Sequence, residues 1–163
     1  MIRILVLAAV MMPTLVFGAD CSIENARYMQ VGGSWSFSFK PVPELASSNQ
    51  TAAFIVEFPN SALTLEGRVF RPNGFGSASY VVEGPCAPDR AETCGFVDAG
   101  SLTIYARYAD GIAMLDDSAG AAAPLQVLLP ELSEGIWYSD YRGDEFDGSD
   151  GGDVFTLVGC GSR

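Results

Sequence analysis

Short alternating runs of apolar and polar residues, separated by turn signals, constrain this chain more than any other feature. Ser34 to Lys40 puts Trp35, Phe37 and Phe39 on one face and hydroxyls on the other, as in an antiparallel strand with one wet side. Pro41 and Pro43 end it. Ala53–Phe58 is a mostly apolar run, and in Leu63–Val69 the apolar positions alternate with Thr64, Glu66 and Arg68. Pro72-Asn73-Gly74 supplies a turn before Ser77–Glu83. Ser101–Tyr108 leads into the hairpin signal Asp110-Gly111 and a short return strand, Ile112–Leu115. Leu125–Leu129, Glu134–Ser139 and Val154–Val158 read as further strands. No long helical period competes. About eight to nine short strands predict an all-β domain, either a single antiparallel β-barrel or a β-sandwich.

The N-terminus bears on the compartment. Met1-Ile2-Arg3 is followed by an uncharged apolar run, Ile4–Phe17, and then by Gly18-Ala19. That is the three-part pattern of a cleaved secretory signal peptide spanning residues 1–19, leaving residues 20–163 as one all-β domain. The run is shorter than the ~18–20 residues of a spanning helix, so no membrane insertion is expected after the leader is removed. Arg3 leaves with the leader, so nine basic residues become eight against 20 acidic, a net charge of −12. Such a chain repels nucleic acid and attracts cations or basic proteins. The expected location is periplasmic or secreted.

All four cysteines, Cys21, Cys86, Cys94 and Cys160, lie beyond that leader, an even number that predicts two disulfides. Four cysteines allow three pairings, and two features favour Cys86–Cys94 with Cys21–Cys160. The Cys86–Cys94 segment is short and polar, with Pro85 and Pro88 turning it. Cys21 and Cys160 lie near the two ends of the processed chain, where a bridge would stop fraying and would favour a barrel over a sandwich.

The residue inventory narrows the chemistry. The chain has no histidine, so a Ser-His-Asp or Cys-His machine cannot be built and the commonest transition-metal ligand is missing. Glu57, Glu66, Glu83, Asp98 and Asp110 are carboxylates on strands or turns, but no two of them stand out as an acid–base pair. No glycine-rich phosphate loop joins a strand to a helix. No catalytic residue is assigned, and the expectation is a protein that is not an enzyme and needs no cofactor, Ca²⁺ being the one candidate.

That candidate comes from the acidic loop between Tyr138 and Cys160. Gly143-Asp144-x-Phe146 and Gly152-Asp153-x-Phe155 repeat at nine residues, an echo of the nonapeptide that binds Ca²⁺ between stacked turns. Asp144, Asp147, Asp150 and Asp153 are the candidate metal ligands, since Ca²⁺ takes hard oxygens and glycine lets the chain wrap it. Aromatic residues gather beside the same loop. With Ile136 and Tyr138 turned inward on a strand, Tyr141 and Phe146, together with Trp137, are the candidate binding surface.

Gly33-Ser34-Trp35 resembles the Gly-x-Trp of the first strand of lipocalin-like barrels, and Ser139-Asp140-Tyr141 is similar to their later Thr-Asp-Tyr. The likeness is confined to these two tripeptides. It implies a Trp closing the barrel floor beneath a cavity for a small apolar ligand. Three functions are therefore expected in order: an exported acidic binding module that masks or inhibits a basic extracellular protein, a Ca²⁺-binding structural domain, and a lipocalin-like carrier.

Overall fold

A computed structural model describes residues 21–72, 76–87, 89–98, 102–145 and 152–161. The expected leader, residues 1–19, lies outside the described residues. Ten strands form one antiparallel sheet: β1 (Ala26–Gln30), β2 (Ser36–Lys40), β3 (Gln50–Phe58), β4 (Leu63–Phe70), β5 (Ser79–Pro85), β6 (Thr93–Val97), β7 (Tyr105–Tyr108), β8 (Gly111–Met114), β9 (Gln126–Leu128) and β10 (Val154–Cys160). Their order is β6-β5-β4-β3-β2-β1-β10-β9-β7-β8. The all-β expectation holds, as one curled half-barrel sheet. The curl returns on itself where Ser79 bridges Thr103: Tyr80 N–H donates to the Leu102 carbonyl at 3.2 Å and Ile104 N–H to the Ala78 carbonyl at 3.1 Å.

Alternation fixes which side chains enter the curl. Tyr28, Phe37, Phe39, Phe54, Val56, Leu65, Val69, Tyr80, Val82 and Phe155 are all buried. Their rings interlock, with Phe37 4.8 Å from Phe39 at 89° and 5.5 Å from Tyr28 at 69°. Burying each such side chain contributes roughly 2–3 kcal/mol. Gly67 makes room for this packing, because a Cβ there would sit 2.0 Å from the Phe54 ring.

The expected disulfides both form. Cys21–Cys160 has its Cα atoms 5.8 Å apart and Cys86–Cys94 4.9 Å apart, and no cysteine is free among the described residues. The first bridge sits where β10 pairs with β1, Ala26 opposite Cys160, so the covalent tie and the strand pairing reinforce each other. Two disulfides are compatible with an oxidising location outside the cytoplasm. No helix among the described residues is long and apolar enough to cross a membrane.

Three expectations need correction. Glu134–Ser139 is not a strand; the chain forms a helix there, α1 (Leu132–Trp137), followed by the short α2 (Arg142–Glu145). Leu132 and Ile136, four residues apart, are both buried on one side of α1. Gly135 lets the helix press against β6, where an added Cβ would meet the Phe96 carbonyl oxygen at 2.0 Å. β1 and β6 were not anticipated. Ala26 and Gln30 give β1 a weakly apolar inner face, and Gly95 with a half-buried cysteine obscures β6.

The two ends of the curl are closed differently. At the disulfide end, a 3-10 turn (Ile23–Asn25) and the loop 115–123 cover the interior. Ile23 N–H donates to the Ala121 carbonyl and Ala123 N–H to the Cys21 carbonyl, both at 2.8 Å. Asp117, within this loop, turns its side chain inward and accepts from Arg71 Nη2 at 2.6 Å and from the Thr51 hydroxyl. At the opposite end, Trp35 packs on Phe58 with centroids 4.6 Å apart, and α1 packs on β6.

Candidate functional site

The residues singled out around the acidic loop meet different fates. Asp153 is the one candidate metal ligand whose side chain the structure describes. Its Oδ1 accepts from Ser133 N–H at 2.8 Å and from the Ser133 hydroxyl at 2.5 Å, and its Oδ2 from Glu131 N–H at 2.9 Å. Both oxygens therefore serve the start of α1, satisfying amides that a helix leaves unpaired at its first turn. The Asp144 side chain, Asp147 and Asp150 lie outside the described residues. Arg142–Glu145 forms α2, a helical turn where a nonapeptide turn was anticipated. Among the described residues, no group of three or more metal-capable side chains converges.

The candidate contact aromatics also separate. Phe146 lies outside the described residues. Tyr141, expected at the surface, is 1% exposed, its ring 6.2 Å from Phe96. Burial pushes its hydroxyl pKa up. Trp137 is 39% exposed, and the Arg142 guanidinium carbon lies 3.7 Å from its ring centroid, a cation–π contact that holds the indole in place. Tyr138, expected to point inward, is 79% exposed.

The helix explains the exchange. With Leu132 and Ile136 facing the core, Glu134, Trp137 and Tyr138 fall on the outer side of α1 at spacings of three and four. Glu131, Glu134 and Asp140 are all exposed beside the two aromatic residues. Asp153, the Gly135–Phe96 contact and the Tyr80 hydroxyl donating to the Pro130 carbonyl fix this segment to the sheet. The outcome is an exposed aromatic pair set among carboxylates, with Arg142 stacked on Trp137. The i, i+4 relation of Leu132 to Ile136 was the signal in the sequence that could have found it.

The remaining candidates stay apart. Glu57, Glu66 and Glu83 lie on β3, β4 and β5 with outward, solvated side chains. Glu66 is directly opposite Glu83, and Arg68 pairs with Glu83. Glu57 accepts from the Ser36 hydroxyl at 3.1 Å. Trp35, the residue of the lipocalin-like motif, is buried against Phe58, and Phe37 packs against Phe54 and Phe155. A depression of about 490 Å³ lies on the outer surface, lined by Ser34, Ser36, Glu57 and Thr64 among others.

The fold and this surface define a two-disulfide, all-β domain with an aromatic and acidic outer patch. Neither a protein-family model, nor a curated protein, nor a solved structure matches the chain.

Proposed function

We propose that this chain is an exported, non-catalytic binding module whose partner is a basic protein, which it masks or inhibits outside the cytoplasm. The observation that carries the reading is the Trp137–Tyr138 pair, held outward on an anchored helix and bordered by Glu131, Glu134 and Asp140. The few residues that dominate binding energy at protein interfaces are enriched in Trp and Tyr. The net charge of −11 supplies long-range attraction for a cationic partner. The ring-filled interior supports recognition at the surface over a small ligand carried inside.

The test is binding of the oxidised protein to a panel of basic exported hydrolases, lysozymes and proteases among them, at low and physiological salt. Replacing Trp137 and Tyr138 together with Ala is expected to weaken binding at least thirtyfold, about 2 kcal/mol, with the melting temperature little changed. Raising the salt is expected to slow association. Binding that ignores both the substitutions and the salt, or no binding across the panel, overturns the reading.

A further inference from the structure

The hairpin β7–β8 carries a second feature, at the opposite end of the strand order from β6, on which α1 packs. β8 ends the strand order, so among the described residues it has a strand neighbour on one side only. All four of its residues are exposed, including Ile112 at 65% and Met114 at 44%. Protein surfaces usually blunt such an edge with Lys, Pro or a bulge, and this one has none of these. In an antiparallel ladder alternate residues turn their N–H and C=O away from the paired strand. Tyr108 and Gly111 close the two-residue turn, so the outward-turned groups belong to Ile112 and Met114.

An apolar stripe continues inward from that edge. Met114 pairs with Tyr105, Tyr105 with Leu128, and Leu128 with Val154 across four adjacent strands. Val31 N–H donates to the Val154 carbonyl at 2.8 Å and extends the row onto the end of β1. Met114, Tyr105 and Val31 are all exposed.

Charge decides what can occupy the edge. Pairing β8 with β8 of a second copy on a common face, centred on Ala113, would place Ile112 against Met114. It would also bring Asp110, in the turn, near Asp116 just beyond each end of the ladder. Like charges directly opposite destabilise a strand pair, and each copy carries a net charge of −11. A strand with apolar residues opposite Ile112 and Met114 and basic residues flanking them meets apolar contact along the ladder and opposite charge from Asp110 and Asp116 just beyond its ends. We infer that β8 accepts an extended segment of a partner protein by strand addition, the segment reading basic-x-apolar-x-apolar-x-basic. The inference rests on the basic-partner reading for the sign of the partner's charge, and it uses a surface separate from Trp137 and Tyr138.

The test uses the oxidised, ¹⁵N-labelled protein and two synthetic heptapeptides, Lys-Thr-Val-Thr-Val-Thr-Lys and its Glu-ended counterpart. The Lys-ended peptide is expected to shift amide signals within residues 105–116 and to slow hydrogen exchange at Ile112 and Met114. The Glu-ended peptide is expected to bind at least tenfold more weakly. Ile112→Pro removes one outward N–H at a free edge, where proline is tolerated, and should weaken binding at least tenfold. Asp110→Lys leaves the backbone alone and should narrow the preference for the Lys-ended peptide at least threefold. Shifts centred on α1, protection of β8 that grows with protein concentration instead of peptide, or no shifts at all would overturn the inference. Trp137→Ala/Tyr138→Ala separates the two proposals, because it should leave heptapeptide binding at β8 unchanged even if it abolishes capture of basic hydrolases.

Discussion

At the disulfide end of the curled sheet, a covalent bond and a half-buried ion pair hold the loop 115–123 and the chain's first described residues in place. At the helix end, a six-residue helix is held by one carboxylate, one glycine contact and a tyrosine hydroxyl. The first arrangement constrains the unfolded chain as well as the folded one, and it tolerates polar, irregular covering segments. The second works only through close fit in the folded state. The proposed aromatic and acidic surface sits on the second, so substitutions that loosen packing there should reach binding before they reach global stability.

Removing the Cys21–Cys160 bridge breaks the disulfide end and should give the largest effect. A loop closed over 139 residues of sequence separation contributes about 5 kcal/mol in the chain-entropy model, whereas the Cys86–Cys94 loop, with a separation of 8, contributes about half that. Cys21→Ser/Cys160→Ser should therefore lower the melting temperature by about 15 °C, and Cys86→Ser/Cys94→Ser by about half as much. Equal losses in calorimetry would mean that loop length is not what the longer bridge contributes.

Gly135→Ala tests the helix end. The added Cβ meets a backbone oxygen, which cannot swing away as a side chain would, so α1 must shift off β6 at a cost of about 3 kcal/mol. Because α1 carries Trp137 and Tyr138, this variant should also lose binding to basic proteins at temperatures where it remains folded. A folded Gly135→Ala protein that binds normally would separate the aromatic pair from the packing that positions it.

How much of this was legible in the sequence follows the same division. Strands with strict alternation of large apolar side chains, such as Ser36–Lys40 and Leu63–Phe70, were readable because period two leaves one buried face. β1 was not, since its inner face is Ala26, Tyr28 and Gln30, and the burial of Gln30 depends on a carbonyl 122 residues away, to which its Nε2 donates at 2.8 Å. The disulfide partners were favoured correctly from the short, polar, proline-turned segment between Cys86 and Cys94 and from the placement of Cys21 and Cys160. At the site, Trp137 was named, but Tyr138 and Tyr141 exchanged roles. A six-residue helix has too few turns to reveal its period, and its start depends on Asp153, which is remote in sequence. A glycine- and aspartate-rich stretch looks the same whether its carboxylates bind a cation or cap a helix.

Two buried tyrosines sharpen the comparison with the smallest expected effects. Tyr80 donates to the Pro130 carbonyl and so helps hold the helix end. The Tyr28 hydroxyl, close to Tyr108, is fully buried with no hydrogen-bond partner among the described residues. At pH 7, Tyr80→Phe should cost about 1 kcal/mol, because it leaves a carbonyl unpaired, while Tyr28→Phe should be neutral or stabilising by about 1 kcal/mol. Burial raises both hydroxyl pKa values above the ordinary value of about 10. The folded state therefore keeps protons that the unfolded state releases. Stability is unaffected below pH 10 and falls as pH rises beyond it, by up to about 1.4 kcal/mol per pH unit for each tyrosine. Each Phe variant removes one such group, so denaturant melts between pH 10 and 11 should fall less steeply for either variant than for the parent chain. A Tyr28→Phe protein that loses more than about 1 kcal/mol at pH 7 would mean that this hydroxyl has a bonding partner after all, and that the two tyrosines do not differ in the way their surroundings indicate.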